Sequence, residues 1–297
     1  MPPELSVVIP WRDDPQVGET VERVLDLARR EGSGAVEVIV VGSGERGLVP
    51  SDPAVTHLEP ERPLWPGAAR NRGLARARAD LVAFLDADCL PLEGWYEAIR
   101  GSAAGGAVCG GAIVTPTDDL WTACYNLAFF REYLDGLPPA PRRFLASYCF
   151  WGPRRAFEAV GGFDESWRTA EDLDLTIRLA RAGWALRFEP AARVRHRPRA
   201  RSGWAVVRAG FMHGGNSIRA RSLYADAFAQ PAFATSAPLL ALAAPLVAGF
   251  FLVKTFLAHA RLRALCLRCA PTIYAFRVAW CLGAARAVAM RSRRAAA

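Results

Sequence analysis

Short apolar runs alternate with helical faces over the first 88 residues, and this alternation limits the chain more than any other feature. "LSVVIP" (residues 5–10) is apolar, β-branched and ended by a proline, the pattern of a strand. "GETVERVLDLARR" follows, with apolar residues at 21, 24, 25 and 28 on one helical face. "VEVIVVGSG" (36–44) predicts a second strand, "AARNRGLARARA" (68–79) a helix and "LVAFLDAD" (81–88) a third strand. Strand, helix, strand, helix, strand with short links makes a parallel sheet with helices on its faces. Such sheets bind ligands at the carboxyl ends of their strands. Asp86 and Asp88 stand at one of those ends, where two like charges are unfavourable unless a cation joins them.

The rest of the chain is less regular. Residues 101–150 are rich in Gly and Pro and show no clear period. "EDLDLTIRLARAGW" (171–184) then predicts an amphipathic helix, and "ALRFEPAARVRHRPR" a pair of short extended segments. After about Trp204 the composition changes, which divides the chain into residues 1–204 and 205–297. Residues 227–253 carry no charge, enough to cross a bilayer, although Pro231, Pro238 and Pro245 would kink a helix there. A second apolar stretch, roughly 270–290, is interrupted by Arg277 and Arg286.

Charge is distributed as unevenly as apolarity. The net charge is +8, but residues 196–297 hold 15 of the 37 Lys/Arg and one of the 29 Asp/Glu, a balance of +14 against −6 for the rest. A basic, apolar tail calls for an anionic partner, and its long apolar stretches suit a membrane surface better than nucleic acid. A two-span hairpin would leave Arg261, Arg263 and Arg268 on the outside, against the positive-inside tendency. Segments lying in or dipping into the cytosolic leaflet satisfy every arginine cluster. A helical subdomain packed on the rest of the chain or in a dimer is the alternative. The seven scattered cysteines, with a lone C-x-x-C at Cys266 and Cys269, read as reduced and structural. No signal peptide precedes the first strand, so the expected location is the cytoplasmic face of the cell membrane.

The pieces "SVVIP", "EVIVV", "GAARNRGLARARADLVAFLDADCLP", "VGGFDE", "EDLDLTIRLARAG" and P-x-x-x-V-x-H occur in that order. Together they resemble the family 2 glycosyltransferases with the GT-A fold, over roughly two thirds of the chain from Leu5 to about His196. The resemblance implies a Rossmann-like, mostly parallel α/β sheet with helices on both faces, here followed by a helical, apolar and basic C-terminal region. It also implies sugar transfer from a nucleotide-diphosphate sugar to a lipid-linked or envelope saccharide acceptor.

Strand rise spaces the carboxylates of a D-x-D by about 7 Å, close enough to serve one hard cation. Mg²⁺ or Mn²⁺ suits such oxygens and keeps part of its shell for substrate phosphates. By resemblance, Asp88 holds the ion, Asp86 shares it or binds the ribose, and His196 is a further ligand. Asp172 would be the general base of a single, inverting displacement, with Glu171 orienting it or the acceptor. The bland reading of that pair is two acids at a helix N-terminus. Pro10, Asp13, Arg70, Asn71 and Asp86 would contact the nucleotide-sugar, Arg70 through a bidentate grip on phosphate.

Two departures bear on the donor. The family's usual Asp after the second strand is replaced by Gly42, which leaves Asp13, Asp14, Glu45 or backbone groups to read the base. The usual tyrosine and asparagine after the first strand are replaced within residues 11–13. Trp151, Trp167 and the 101–150 region could shape an acceptor pocket, or else belong to the core. Three rivals remain. "GSGERG" fits a dinucleotide fingerprint, but it follows the second strand and Pro50 and Pro53 interrupt the helix it needs. A nucleotidyltransferase uses a similar acidic pair, and a non-catalytic membrane scaffold could retain the fold.

Overall fold

The computed structural model describes residues 2–32, 35–45, 47–228 and 231–296. In chain order, β1 (Leu5–Arg12), α1 (Val17–Glu31), β2 (Val36–Ser43), β3 (Val55–Leu58), α2 (Pro66–Arg76) and β4 (Leu81–Leu85) come first. They are followed by β5 (Cys89–Pro91), α3 (Trp95–Ala103), β6 (Val108–Ile113), α4 (Leu120–Phe129), β7 (Ala140–Pro141) and β8 (Cys149–Pro153). Next come α5 (Arg154–Ala159), α6 (Glu171–Arg181) and β9 (Leu186–His196), and then the long helices α7 (Gly203–Leu223), α8 (Ala237–Ala258) and α9 (Arg263–Ala296).

Two compact units result. The first is Met1–Val114 with Pro138–Arg197, and the second is Thr115–Leu137 with Pro198–Ala297. Residues 115–137 thus join the C-terminal helices, whereas a division at 204 places them with the sheet. The reason is apolar packing, since α4 lies against α9 and α7. The observed boundary between the units near the end of β9 lies a few residues before 204.

The first unit is built on one sheet of order β3-β2-β1-β4-β8-β6-β9-β5, with β7 also paired to β9. β3, β2, β1 and β4 run parallel. Beyond them the sheet is mixed, because β8 runs antiparallel between β4 and β6, while β6 and β9 are parallel. The β2 core residues Val38, Ile39, Val40 and Val41 are fully buried, as a strand covered on both faces requires. α2 packs closely on β1, for a Cβ at Gly73 would lie 2.2 Å from Val8 Cγ1. A buried carboxylate ties these layers: Glu37 accepts from Ser6 Oγ at 2.5 Å and from Arg78 N at 2.6 Å and Nε at 2.7 Å.

Three features of the 101–196 region differ from the sequence reading or refine it. β6, "VCGGAI", was hidden by its glycines, and a Cβ at Gly111 would lie 2.4 Å from Ala192 O. The two extended segments form the single strand β9, which pairs with β6 in two blocks, Leu186–Phe188 and Arg193–Val194, around an irregularity that contains Pro190. Trp151 and Trp167 are 1% and 3% exposed and belong to the core, where Trp151 Nε1 donates to Ser102 Oγ at 2.8 Å. After β2 the described chain leads into β3 and opens no helix, so the dinucleotide fingerprint lacks its helix.

The second unit is helical. α7 and α9 cross so closely that a Cβ at Gly214 would lie 2.0 Å from Trp280 O, and one at Gly283 1.9 Å from Phe211 O. Small residues at such a crossing let two backbones meet. Pro238 sits in the first turn of α8, where proline is tolerated, and Pro245 lies inside the helix without ending it. α8 and α9 are long and apolar enough to cross a membrane. Leu239, Leu242, Leu246, Phe250, Val253 and Leu257 form an exposed stripe along one face of α8.

Candidate active site

The turn that closes β4 sets the site. Asp86 N donates to Tyr148 O at 2.9 Å, and Cys89 N donates back to Asp86 O at 3.0 Å. The chain then enters β5, whose antiparallel register sets Cys89 opposite His196 of β9. Arg197 N donates to Asp88 O at 2.9 Å and pins the end of β9 to the turn. The result is that His196 Nε2 lies 3.6 Å from Asp88 Oδ2, with the imidazole side chain 6% exposed. Cys89 Sγ approaches Asp88 Oδ1 at 3.7 Å.

Asp88, Cys89 and His196 each offer one potential ligand atom, all within 4.8 Å of one another. A carboxylate oxygen suits Mn²⁺ or Mg²⁺, and an added imidazole nitrogen favours Mn²⁺, the softer of the two. Without an ion, burial together with the Asp88 and Asp86 charges pushes the Cys89 thiol well above the usual range, and a hard ion of this kind prefers the oxygen ligands to sulfur. Burial raises the Asp86 carboxyl despite Arg70. Burial also works against the Asp88 carboxylate, but His196, the Cys89 thiol and a backbone hydrogen bond together outweigh it and the net shift is downward. The donor set therefore fits a divalent ion held by Asp88 and His196, with Asp86 beside them.

Arg70 connects this strand end to α6. It projects from α2, is 2% exposed, and donates from Nη2 to Asp86 Oδ1 at 2.6 Å and from Nη1 to Glu171 Oε1 at 2.8 Å. Its guanidinium also lies 5.5 Å from the Phe163 ring centroid. The fork expected to hold donor phosphates is thus directed at two acids of the chain itself. Asn71 is likewise committed to the protein: its Nδ2 donates to Phe163 O at 2.8 Å and Glu165 Oε1 at 2.9 Å, and its Oδ1 accepts from Phe163 N at 2.8 Å. Arg70 grips the acids and Asn71 grips the loop that leads into α6.

Glu171 and Asp172 open α6 behind Ala170, a non-glycine residue held at φ 68°. Such backbone is costly for a residue with a Cβ and recurs at functional sites. Glu171 is buried, and burial with the neighbouring Asp172 charge raises its pKa from 4.5 to about 7 against the pull of Arg70. Asp172 is partly exposed; its Oδ2 accepts from Ser147 N at 3.1 Å and its Oδ1 from Leu173 N at 2.8 Å. These bonds fix the carboxylate's orientation and leave it reachable. Ser147 was not legible as a site residue, because its contribution is a backbone N–H delivered by tertiary packing.

Pro10 and Asp13 lie at the end of β1, the strand beside β4. Pro10 pairs with Val41, and Asp13, at φ 48°, donates through its N–H to Ser43 O at 3.1 Å. Opposite Trp11, Gly42 has φ 150°, and a Cβ there would lie 1.7 Å from Trp11 O. No side chain fits at position 42 with this backbone. His57 Nε2 sits 2.9 Å from Gly42 O, and its ring is 5.5 Å from that of Trp11.

The sequence model of "Glycosyl transferase family 2" matches residues 6–161, more than half of the chain. The chain belongs to this family. Among curated relatives, a pre-mycofactocin glycosyltransferase of Mycobacterium tuberculosis is 33% identical over an alignment of 210 residues, which covers 65% of this chain and 42% of the relative. The chain therefore spans less than half the length of that relative. An N-acetylglucosaminyl-diphospho-decaprenol L-rhamnosyltransferase of the same organism is 39% identical over 77 residues, 26% of this chain and 24% of the relative. Solved structures agree in fold. A mannosyltransferase from Pyrobaculum calidifontis in complex with GDP-Man and Mn²⁺ covers 99% of this chain and 76% of its own, at TM-score 0.57 and 16% identity. GalNAc-T7 with UDP, GalNAc and Mn²⁺ covers 73% of this chain and 47% of its own, at TM-score 0.54 and 18% identity. The family 2 sheet of this chain is thus a GT-A sheet.

Proposed function

We propose that this protein is a metal-dependent, inverting glycosyltransferase at the cytoplasmic face of a membrane, moving a sugar from a nucleotide-diphosphate donor to a lipid-linked or envelope saccharide. The observation that carries this reading is the double ion pair of Arg70. Through Asp86 and Glu171 it draws the D-x-D turn and the start of α6 into one cluster. Donor-binding and acceptor-activating acids must lie that close for a single displacement.

Asp88 and His196 would hold Mg²⁺ or Mn²⁺, with Asp86 sharing the ion or the donor's ribose. A bound divalent ion supplies positive charge that stabilises the departing diphosphate. Asp172 takes the proton of the acceptor hydroxyl, with its carboxylate aimed by Ser147 N and Leu173 N. One base on the face opposite the leaving group gives inversion. Glu171 holds Arg70, which in turn positions Asp86. Asn71 steadies the 162–165 loop, and Pro10 and Asp13 border the donor's nucleoside. With a glycine at 42, base recognition falls to other groups, so no uridine preference is assigned. The name of the rhamnosyltransferase relative supports a saccharide acceptor on a lipid diphosphate, and the neighbours bound to Mn²⁺ support a divalent ion. The apolar lengths of α8 and α9 support attachment of residues 205–297 to a membrane. The stripe on α8 spans about 27 Å at 1.5 Å per residue, close to the ~30 Å hydrocarbon thickness.

Calorimetry with a panel of nucleotide-sugars, with and without Mn²⁺, tests the reading. Binding of one donor only when metal is present, followed by release of a nucleoside diphosphate on adding acceptor, is the expected result. Metal-independent binding of every donor, or release of pyrophosphate from a nucleoside triphosphate, would overturn it.

A further inference from the structure

The second unit contains a ladder of arginines and aromatic rings. The Arg131 guanidinium lies 4.8 Å from the Phe251 centroid, and Arg277 lies 4.6 Å from that ring and 4.4 Å from Trp280. Arg221 continues the series, 6.0 Å from Trp280 and 4.6 Å from Phe228. These residues come from the chain after α4, from α7, α8 and α9, and from the turn beyond α7, so only the folded unit assembles them.

Three guanidinium groups of the ladder share one nearby acid, which leaves an excess of positive charge. Glu132 is bonded to Arg131 at 2.7 Å, and its charge also reaches Arg221 and Arg277. Among the described residues neither Arg221 nor Arg277 forms an ion pair, and the Nε–H of each is buried without an acceptor. Ring faces offset a cation by about 0.5–2 kcal/mol but accept no in-plane hydrogen bond. Arg277 interrupts an apolar helix and is packed among the rings of Phe251 and Trp280. An arginine in apolar surroundings is costly unless an anion meets it, and it marks a site rather than a solvated face.

We infer that Arg221 and Arg277, with Arg131 beside them, form a binding site for the phosphate of an anionic lipid. Guanidinium forks match phosphate oxygens in pairs, and the surrounding apolar helices suit a hydrocarbon chain. The inference rests on the membrane part of the reading above and not on sugar transfer.

The test uses the full chain in neutral detergent, with thermal stability read against dioctanoyl phosphatidic acid, dioctanoyl phosphatidylcholine and inorganic phosphate. Phosphatidic acid should raise the melting temperature at concentrations where the choline lipid does not. R221Q and R277Q should each weaken that response at least about tenfold, while R268Q, which removes the same charge at an exposed place on α9, should leave it within about twofold. An equal response to the choline lipid, or an unchanged response in both ladder variants, overturns the inference. A full response to inorganic phosphate alone overturns its lipid part and leaves a soluble-phosphate site. Should the glutamine variants not fold, native mass spectrometry of the wild type decides: retention of phosphatidic acid over phosphatidylcholine supports the site, and no preference overturns it. Metal-dependent donor binding, measured on the same samples, reports separately on the transferase reading.

Discussion

Arg70 Nη1 donates to Glu171 Oε1 at 2.8 Å across 101 residues of sequence, in a setting where Arg70 is 2% exposed and the Glu171 side chain 8%. The same guanidinium reaches Asp86 through Nη2 at 2.6 Å. Removing one member of a buried ion pair leaves the others uncompensated, typically at 3–5 kcal/mol. Asp86 is partly solvated, so R70Q should cost about 3 kcal/mol, read as a lowered urea midpoint. A change below about 0.5 kcal/mol would mean that the pairs contribute nothing beyond surface bridges.

Glu171 also sets a pH dependence. Burial, assisted by Asp172 and opposed by Arg70, raises its pKa from 4.5 to about 7. Between those values the folded chain keeps a proton that the unfolded chain has released. Stability from this group therefore falls as pH rises from about 4.5 to about 7 and stays level above. E171Q cannot titrate and should flatten this part of the profile. Urea midpoints across the interval, compared with wild type, check it; parallel profiles would assign the slope to another group.

D172N keeps the shape of the start of α6 but removes the proton acceptor. Turnover should fall by about 10²–10⁴-fold with donor affinity retained, measured as nucleoside diphosphate release beside calorimetric binding. Unchanged turnover would leave Asp172 as a helix-capping charge alone.

D88N should abolish the Mn²⁺ dependence of donor binding, because it removes the carboxylate that His196 faces at 3.6 Å. H196Q removes a ligand and should weaken Mn²⁺ binding by more than the about 10–100-fold that altering a ligand's surroundings costs. Metal titration monitored by Mn²⁺ electron paramagnetic resonance separates the two, and wild-type binding in D88N would move the ion elsewhere.

Restoring the family's acid by G42D should not restore a base contact. A Cβ at 42 would lie 1.7 Å from Trp11 O, and the φ of 150° is one that side chains rarely adopt. The expected cost is at least about 2 kcal/mol, seen as a lower melting temperature. A stable variant with tighter donor binding would show that β1 and β2 separate easily there.

The residues differ in how much they disclosed before folding. β1, β2 and β4 were plain from runs of buried Val, Ile and Leu, and α6 from its apolar period, since those patterns repeat within a few residues. β6 was not, because Gly110 and Gly111 answer to the close approach of Leu145 and Ala192 rather than to strand propensity. α4 reads as an apolar stretch of no fixed allegiance; its packing against α9, more than 130 positions later in the chain, assigns it to the second unit.

At the site, the acids at 86, 88, 171 and 172 were visible as types and spacings, and the charge-free run from 227 to 253 as a composition. Those features are local, and local patterning specifies strands, helices and the charges they carry. The partners were decided by the tertiary structure. Arg70 faces Asp86 and Glu171, His196 faces Asp88 through the β5–β9 register, and Arg277 lies between Phe251 and Trp280. Each of these contacts joins separate elements of the fold. Their energy depends on distance and burial, which exist only once the layers have packed.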